Sequence, residues 1–186
     1  MKRSFDVFAG IILLVILSSL MILISIAILL TSKGPILHWS NRIGKENQVF
    51  KMPKFRSMQI NTPQLATHLI KDPDNYLSPV GGFLRAYSLD ELPQIYSVLK
   101  GDMSFVGPRP ALFNQKDLIE LRSELGIQKL SPGITGWAQI NGRDELSIIG
   151  KVKLDEVYLK KKSFYFDMKI LFITVFKIFI KDGVRH

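Results

Sequence analysis

Apolar residues are spread unevenly along the chain. Val7–Leu30, VFAGIILLVILSSLMILISIAILL, runs for 24 residues without a charge. As a helix it would be about 36 Å long at 1.5 Å per residue, and a hydrocarbon core is about 30 Å thick. The pattern predicts a membrane-inserted helix within residues 1–33. Lys2 and Arg3 also suit a signal-peptide n-region. However, the run exceeds a typical h-region and TSKGPILHW closes it without a small-x-small cleavage site, so a retained segment is expected. Both flanks are basic: Lys2 and Arg3 before, Lys33, Arg42, Lys45, Lys51, Lys54 and Arg56 after. The positive-inside rule accepts either end in the cytoplasm. The helix can span with its C-terminal side inside, or enter, bend and leave on one face. Ser18-Ser19 near the middle offers hydroxyls that bond back and bend a helix; the alternative is a straight helix with its serines against a partner.

Beyond Gly34-Pro35 the pattern turns polar. VFKMPKFRSM (49–58) alternates loosely, and Pro53 limits it to an edge strand or loop. Thr62-Pro63 opens a short helix TPQLATHLI. A surface helix is expected over 113–125, ended by Gly126. SPGITGWAQINGRDE has the glycine density of a loop. Residues 164–181, FYFDMKILFITVFKIFIK, form a second apolar helix. Asp167, Thr174, Lys177 and Lys181 fall on one narrow stripe at 100° per residue. That suits an interfacial helix with lysines toward lipid phosphates; burial against the domain core is the competing reading.

Composition adds three constraints. There is no cysteine among the 186 residues, which excludes disulfides and thiolate metal sites. The net charge of +9 favours phosphates, nucleotides or anionic lipids as partners. No lysine-rich tail or aromatic–basic stacking platform points to nucleic acid, so none is expected. His38 and His68 are isolated and His186 is terminal, so all three read as structural or surface residues; Trp39 reads as an interfacial anchor. Lys160–Lys162 reads as a solvated run near headgroups.

The chemistry concentrates in YSLDELPQIYSVLKGDMSFVGPRP (87–110), where Asp90 and Glu91 are adjacent and Arg109 stands between prolines. By itself S-L-D-E matches a capping box, with Glu91 reaching back to the Ser88 amide and Asp90 at the positive end of a helix dipole. Arg85, Arg109, Lys54 and Arg56 change the picture. If they converge on the dyad, they make a polyphosphate site with Mg²⁺ between phosphate and carboxylates. A helix N-terminus would lower the pKa of Asp90 and keep it ionised as a nucleophile.

The blocks KRSFD, GPILHWSNRIG, FKMPKFRSM, VGGFLRAYSLDELPQIYSVLKGDMSFVGPRP, LSPGITGWAQINGR and DEVYLKKKSFYFDMKILFIT cover nearly the whole chain. In this order and spacing the sequence resembles the bacterial sugar transferases, the small monotopic phosphoglycosyl transferases that act on polyprenol phosphate. The resemblance implies transfer of sugar-1-phosphate from a UDP-sugar to undecaprenyl phosphate with release of UMP. It implies Asp90 as nucleophile, Glu91 at the metal site, and Mg²⁺ as cofactor bound by Asp90 and Glu91. Arg85 and Arg109 would hold phosphates, and Lys54, Arg56, Gln139 and Arg143 would lie near the site. Asp167 matches an acidic position of the last block. The implied location is the bacterial inner membrane, with residues 34–186 as a cytoplasmic catalytic domain that includes the interfacial helix 164–181.

One feature departs from the resemblance. Ser19-Leu20 stands where the family carries a Ser-Pro break, and loss of a helix-breaking proline favours a straighter helix. The expected fold is nonetheless α+β and mostly helical, with a re-entrant membrane helix, a small β element and interfacial amphipathic helices. Two other functions stay open: a one-step transferase using the dyad as base and metal ligand, and a non-catalytic membrane-anchored scaffold. The sugar is not legible, and the assembly state, a homodimer included, is open.

Overall fold

The computed structural model describes residues 1–60, 62, 73–142 and 146–180. The helix expected over TPQLATHLI lies, apart from Thr62, outside the described residues, as do His68, Arg143, Lys181 and His186. The architecture is α+β and mostly helical, with two small two-stranded sheets.

The first helix, α1 (Lys2–Thr31), is long and apolar enough to cross a membrane. It runs unbroken. Ser18 Oγ donates to the Val15 carbonyl (2.7 Å), and the Ser18-Ser19 pair does not end the helix. Asp6, Gly10, Ile24 and Ile28 are buried, and Leu13, Leu20 and Met21 between them also pack on the protein. These positions recur every three or four residues, so one narrow stripe faces the domain. Ile11, Val15, Ile16, Ile22, Leu23 and Leu30 lie outside it and are exposed.

Both ends of α1 are fastened to the same body. Lys2 Nζ donates to the Val106 carbonyl (2.9 Å), Tyr158 Oη (3.0 Å) and Asp167 Oδ2 (2.6 Å). Arg3 donates to the Val98 and Leu99 carbonyls at 2.5 and 2.7 Å. At the other end Ser32 accepts from Arg56 Nη2 through its carbonyl (2.9 Å) and hydroxyl (2.7 Å). Lys2 and Arg3, read from sequence as topology-setting charges, are therefore internal ligands as well.

A hairpin follows, β1 (Leu37–Ile43) against β2 (Val49–Phe55), in antiparallel register with His38 opposite Lys54 and Arg42 opposite Phe50. Glu46 and Asn47 take consecutive positive φ values (52° and 58°), a turn whose twist suits a hairpin. Pro53 is tolerated because, among the described residues, β2 pairs only with β1. β1 was not anticipated: its polar face, His38, Ser40 and Arg42, hides the apolar alternation that marks a strand.

Two short helices, α2 (Gly81–Ala86) and α3 (Gln94–Lys100), flank the dyad. β3 (Ser104–Val106) then pairs in parallel with β4 (Gly133–Thr135). The loop expected over SPGITGWAQINGRDE is thus a strand followed by a helical turn, α5 (Trp137–Ile140). Its glycines serve close packing. A Cβ at Gly133 or Gly136 would collide with the backbone of Gly107, so all three let β4 seat against the Gly-Pro-Arg-Pro turn. The surface helix α4 (Lys116–Glu124) starts three residues later than expected and ends before Gly126 (φ 74°). The last two helices are α6 (Ile148–Lys161) and α7 (Phe164–Ile180). The main core gathers Phe50, Met52, Val98, Met103, Phe105 and Ile170.

α7 reverses part of the interfacial expectation. Two residues of its polar stripe turn inward: Asp167 is buried on Lys2 and Tyr158, and Thr174 Oγ1 shares a hydrogen bond with Thr135 Oγ1 (2.7 Å). Aromatic and aliphatic side chains face out, with Tyr165 81%, Phe172 74% and Phe176 58% exposed. A buried carboxylate needs its partners inside, so Asp167 fixes which face of the helix meets the domain.

Candidate active site

Asp90 and Glu91 sit in a single 3₁₀ turn, Leu89–Glu91, between α2 and α3. The capping box does not form. An N-cap takes extended backbone and accepts an amide hydrogen bond through its side chain. Ser88 instead has φ 53° and ψ 23°, in the left-handed region, and makes no such bond. A non-glycine residue held there costs about 1 kcal/mol or more and turns the dyad away from a regular helix start. Glu91 consequently faces the hairpin, where its Oε1 accepts from Lys54 Nζ (2.8 Å) and from Arg109 Nη2 (3.1 Å).

Asp90 is 8% exposed. Its carboxyl is pushed above the usual range by burial, with Glu91 adding to the effect and Lys54, Arg85 and Arg109 opposing it. The expectation that a helix terminus lowers its pKa is therefore overturned. A 3₁₀ turn supplies little dipole, and desolvation outweighs the surrounding cations.

A cleft of about 320 Å³ opens beside Asp90. Lys54, Arg56, Arg85 and Arg42 line it, together with His38 and Ser40. Phe55, Met58, Ile60 and Leu112 supply apolar wall. Four cations and one carboxylate around a cavity this size make a site for a multiply charged anion. Burial pushes the Lys54 ammonium down, against the pull of Glu91. Burial, Lys54 and Arg42 push His38 down, so the imidazole is neutral near pH 7.

Of the residues singled out from sequence, Lys54, Arg56, Arg85 and Asp90 line the cleft. Glu91 joins through its ion pair with Lys54, and Arg109 through its ion pair with Glu91. Arg109 is steadied from behind: Arg122 Nη1 donates to its carbonyl (2.9 Å), and Arg122 also pairs with buried Asp155 through Nε (3.0 Å) and Nη2 (2.6 Å). Gln139 is not among the lining residues; its Nε2 donates to the Ile134 carbonyl (2.7 Å). Arg143 lies outside the described residues. Sequence reading passed over Arg42 and dismissed His38, although both face the cleft. The signal was present as the every-second-residue row His38, Ser40, Arg42, which puts all three on one face of a strand.

Among the described residues no three His, Cys, Asp or Glu side chains stand together as a metal site. The dyad offers two adjacent carboxylates, one already bonded to Lys54 and Arg109. Mg²⁺ is commonly held by one or two carboxylates with substrate phosphates and waters completing its shell, and this donor set fits that mode.

A family model described as "Bacterial sugar transferase" matches residues 1–181. The chain belongs to the bacterial sugar transferase family. Among this sugar transferase's relatives is the UDP-glucose:undecaprenyl-phosphate glucose-1-phosphate transferase of Escherichia coli (strain K12). It is 38% identical over 190 residues, covering 98% of this chain and 41% of the relative. "Uncharacterized sugar transferase EpsL" of Bacillus subtilis (strain 168) is 40% identical over 190 residues, 100% of this chain and 91% of that one. An N-acetylgalactosaminephosphotransferase of Aeromonas hydrophila, named for UDP-N-acetylgalactosamine and undecaprenyl phosphate, is 36% identical over 191 residues, 99% of this chain and 45% of the relative. The chain thus spans under half the length of the E. coli and Aeromonas relatives. The family match takes in α1 and all of α7 as well as the cleft.

Proposed function

We propose that this sugar transferase moves a sugar-1-phosphate from a UDP-sugar to undecaprenyl phosphate and releases UMP. The observation that carries the reading is Asp90 buried at the wall of a cleft lined by Arg42, Lys54, Arg56 and Arg85. The names of the E. coli and Aeromonas relatives supply the substrate class.

The reaction has two displacements at one phosphorus. A carboxylate oxygen of Asp90 attacks the phosphorus that bears the sugar; the bond from that phosphorus to the bridging oxygen breaks, and UMP leaves with the electron pair. A phosphate oxygen of undecaprenyl phosphate then attacks the phosphosugar, the acyl-phosphate P–O bond breaks, and Asp90 is regenerated. Dividing the transfer keeps two anionic substrates from meeting while both still carry their full charge. Lys54, Arg56, Arg85 and Arg109 orient phosphates and offset charge as it shifts between oxygens. Glu91 holds Lys54 and Arg109 in place. Asp90 and Glu91 would bind Mg²⁺ together with the diphosphate, where the ion supplies charge neutralisation.

The seating in the membrane follows from α1. Both of its ends are fixed to one domain, and the outward faces of α1 and α7 are mostly apolar, with Ser18, Ser19 and Lys169 among the exposed polar residues. This supports a monotopic arrangement, re-entrant in that both ends of α1 stay on the cytoplasmic face of the inner membrane. Anionic lipid headgroups would meet the basic surface at its rim.

The test is rapid quenching with a radiolabelled UDP-sugar and no acceptor. A phosphosugar adduct on an Asp90 peptide is expected, together with a stoichiometric burst of UMP. Sequential kinetics with no adduct would replace this mechanism by one-step transfer, and absence of turnover with any UDP-sugar would leave the scaffold reading.

A further inference from the structure

We propose that Arg42, on β1, forms with Arg109 a subsite for a phosphate of the nucleotide, at the end of the cleft away from the C-terminal end of α1. The proposal rests on the transferase reading and gives a specific role to a residue that reading places only in the cleft wall.

The backbone brings the two arginines together. Ile43 N donates to the Ala111 carbonyl (2.9 Å), and Arg42 bridges Leu112, so β1 runs beside the segment that leaves the Gly-Pro-Arg-Pro turn. The Arg42 guanidinium is oriented at two points: Nε donates to Ser40 Oγ (3.1 Å) and Nη1 to the Pro110 carbonyl (3.2 Å). It lines the cleft beside Lys54. Burial, and then the nearby Arg109 charge, push its pKa down to about 10, with Glu91 pulling back. The Arg42 and Arg109 guanidiniums, on neighbouring segments, repel each other, and the Glu91 carboxylate offsets part of that charge. A fork oriented by its own neighbours is ready for the oxygens of a phosphate, and an anion there removes the repulsion.

Position selects the nucleotide over the lipid. Arg56 marks the α1 end of the cleft: its side chain bonds Ser32, and its amide bonds the Ile36 carbonyl (2.9 Å). Arg42 lies six residues further along the extended chain, about 20 Å at 3.3 Å per residue. A lipid-borne phosphate arrives beside the apolar helix, whereas a soluble nucleotide can occupy the far end.

The test uses the full chain in detergent with Arg42→Met, Arg42→Lys and Ser40→Ala. Two readouts are needed: thermal protection by UMP, and KM for the UDP-sugar and for undecaprenyl phosphate measured separately. Arg42→Met is expected to lose most of the UMP protection and to raise the donor KM about ten- to a hundredfold, with the acceptor KM within about twofold. Arg42→Lys, which keeps the charge and loses the fork, should fall between, and Ser40→Ala should show a smaller loss. If Arg42→Met unfolds, Arg42→Lys decides by the same two readouts. Wild-type UMP protection and donor KM in Arg42→Lys and any folded Arg42→Met would overturn the subsite. An equal or larger rise in the acceptor KM would overturn its assignment to the nucleotide. Wild-type protein that turns over no UDP-sugar, yet loses UMP protection through Arg42→Met, would sink the transferase reading and leave an anion site standing.

Discussion

Asp90 and Asp155 are both buried, and burial lifts both carboxyls above their usual range. Their surroundings part them. Asp155 is closed off by Arg122 through two hydrogen bonds and is 1% exposed. Asp90 has cations around it, yet among the described residues no ion pair closes on it, and it borders the cleft. The same desolvation thus serves two ends. A buried carboxylate with its own guanidinium is a strut, and on the proposed mechanism the one that faces a cavity is the reagent.

The sharpest way to break that contrast is Asp90→Asn. UMP release should drop by at least about a thousandfold, as loss of a covalent nucleophile does. Stability should move the other way. The folded pKa of Asp90 is raised, so its favourable contribution is present below the ordinary carboxylate pKa and lost as pH rises through the folded value. At pH 7 the charge is a burden, and Asp90→Asn should raise Tm.

Asp155→Asn should lower Tm although the Asp155 pKa is also raised, because the amide strands the buried Arg122 guanidinium at a cost of about 3–5 kcal/mol, and a double replacement of Asp155 and Arg122 by leucine should recover part of it. Thermal melts of both asparagine variants check the pair. Movement of Tm in the same direction for both would erase the distinction.

Glu91→Gln comes next. With the charge that anchors Lys54 and Arg109 gone, donor KM should rise about tenfold or more in steady-state assays. A pH–rate profile then sharpens the difference: turnover should fall on acidification with an apparent pKa above the ordinary carboxylate value, and Asp155→Asn should leave that limb in place. The smallest effect is expected far from either aspartate. Phe172→Ser with Phe176→Ser should weaken vesicle binding about tenfold or more in flotation assays and leave turnover in detergent intact.

What sequence made legible follows the strength of each periodic signal. α1, α4 and α7 were visible because long apolar runs and a terminal glycine are local features. Lys54, Arg56, Arg85 and Asp90 lie together at the cleft, as the motif chemistry suggested. β1 escaped because its polar side faces a cavity, so alternation recorded a site and not a core. The capping box at Ser88 was a false local signal: tertiary ion pairs from Lys54 and Arg109 outbid a single backbone contact for Glu91. The sense of the Asp90 shift was also out of reach, since desolvation depends on what the rest of the chain stacks around the turn. Gln139 shows the limit from the other side: a motif position need not line the cleft, and its Nε2 bonds the Ile134 carbonyl.

On the proposed seating, fastening α1 at both ends has a mechanical consequence for the bilayer. An apolar rod that never crosses takes up area in one leaflet and none in the opposite one. Each copy then acts as a wedge, and crowding them together would favour outward bulging of the leaflet that holds them. Regions already curved in that sense should collect the protein.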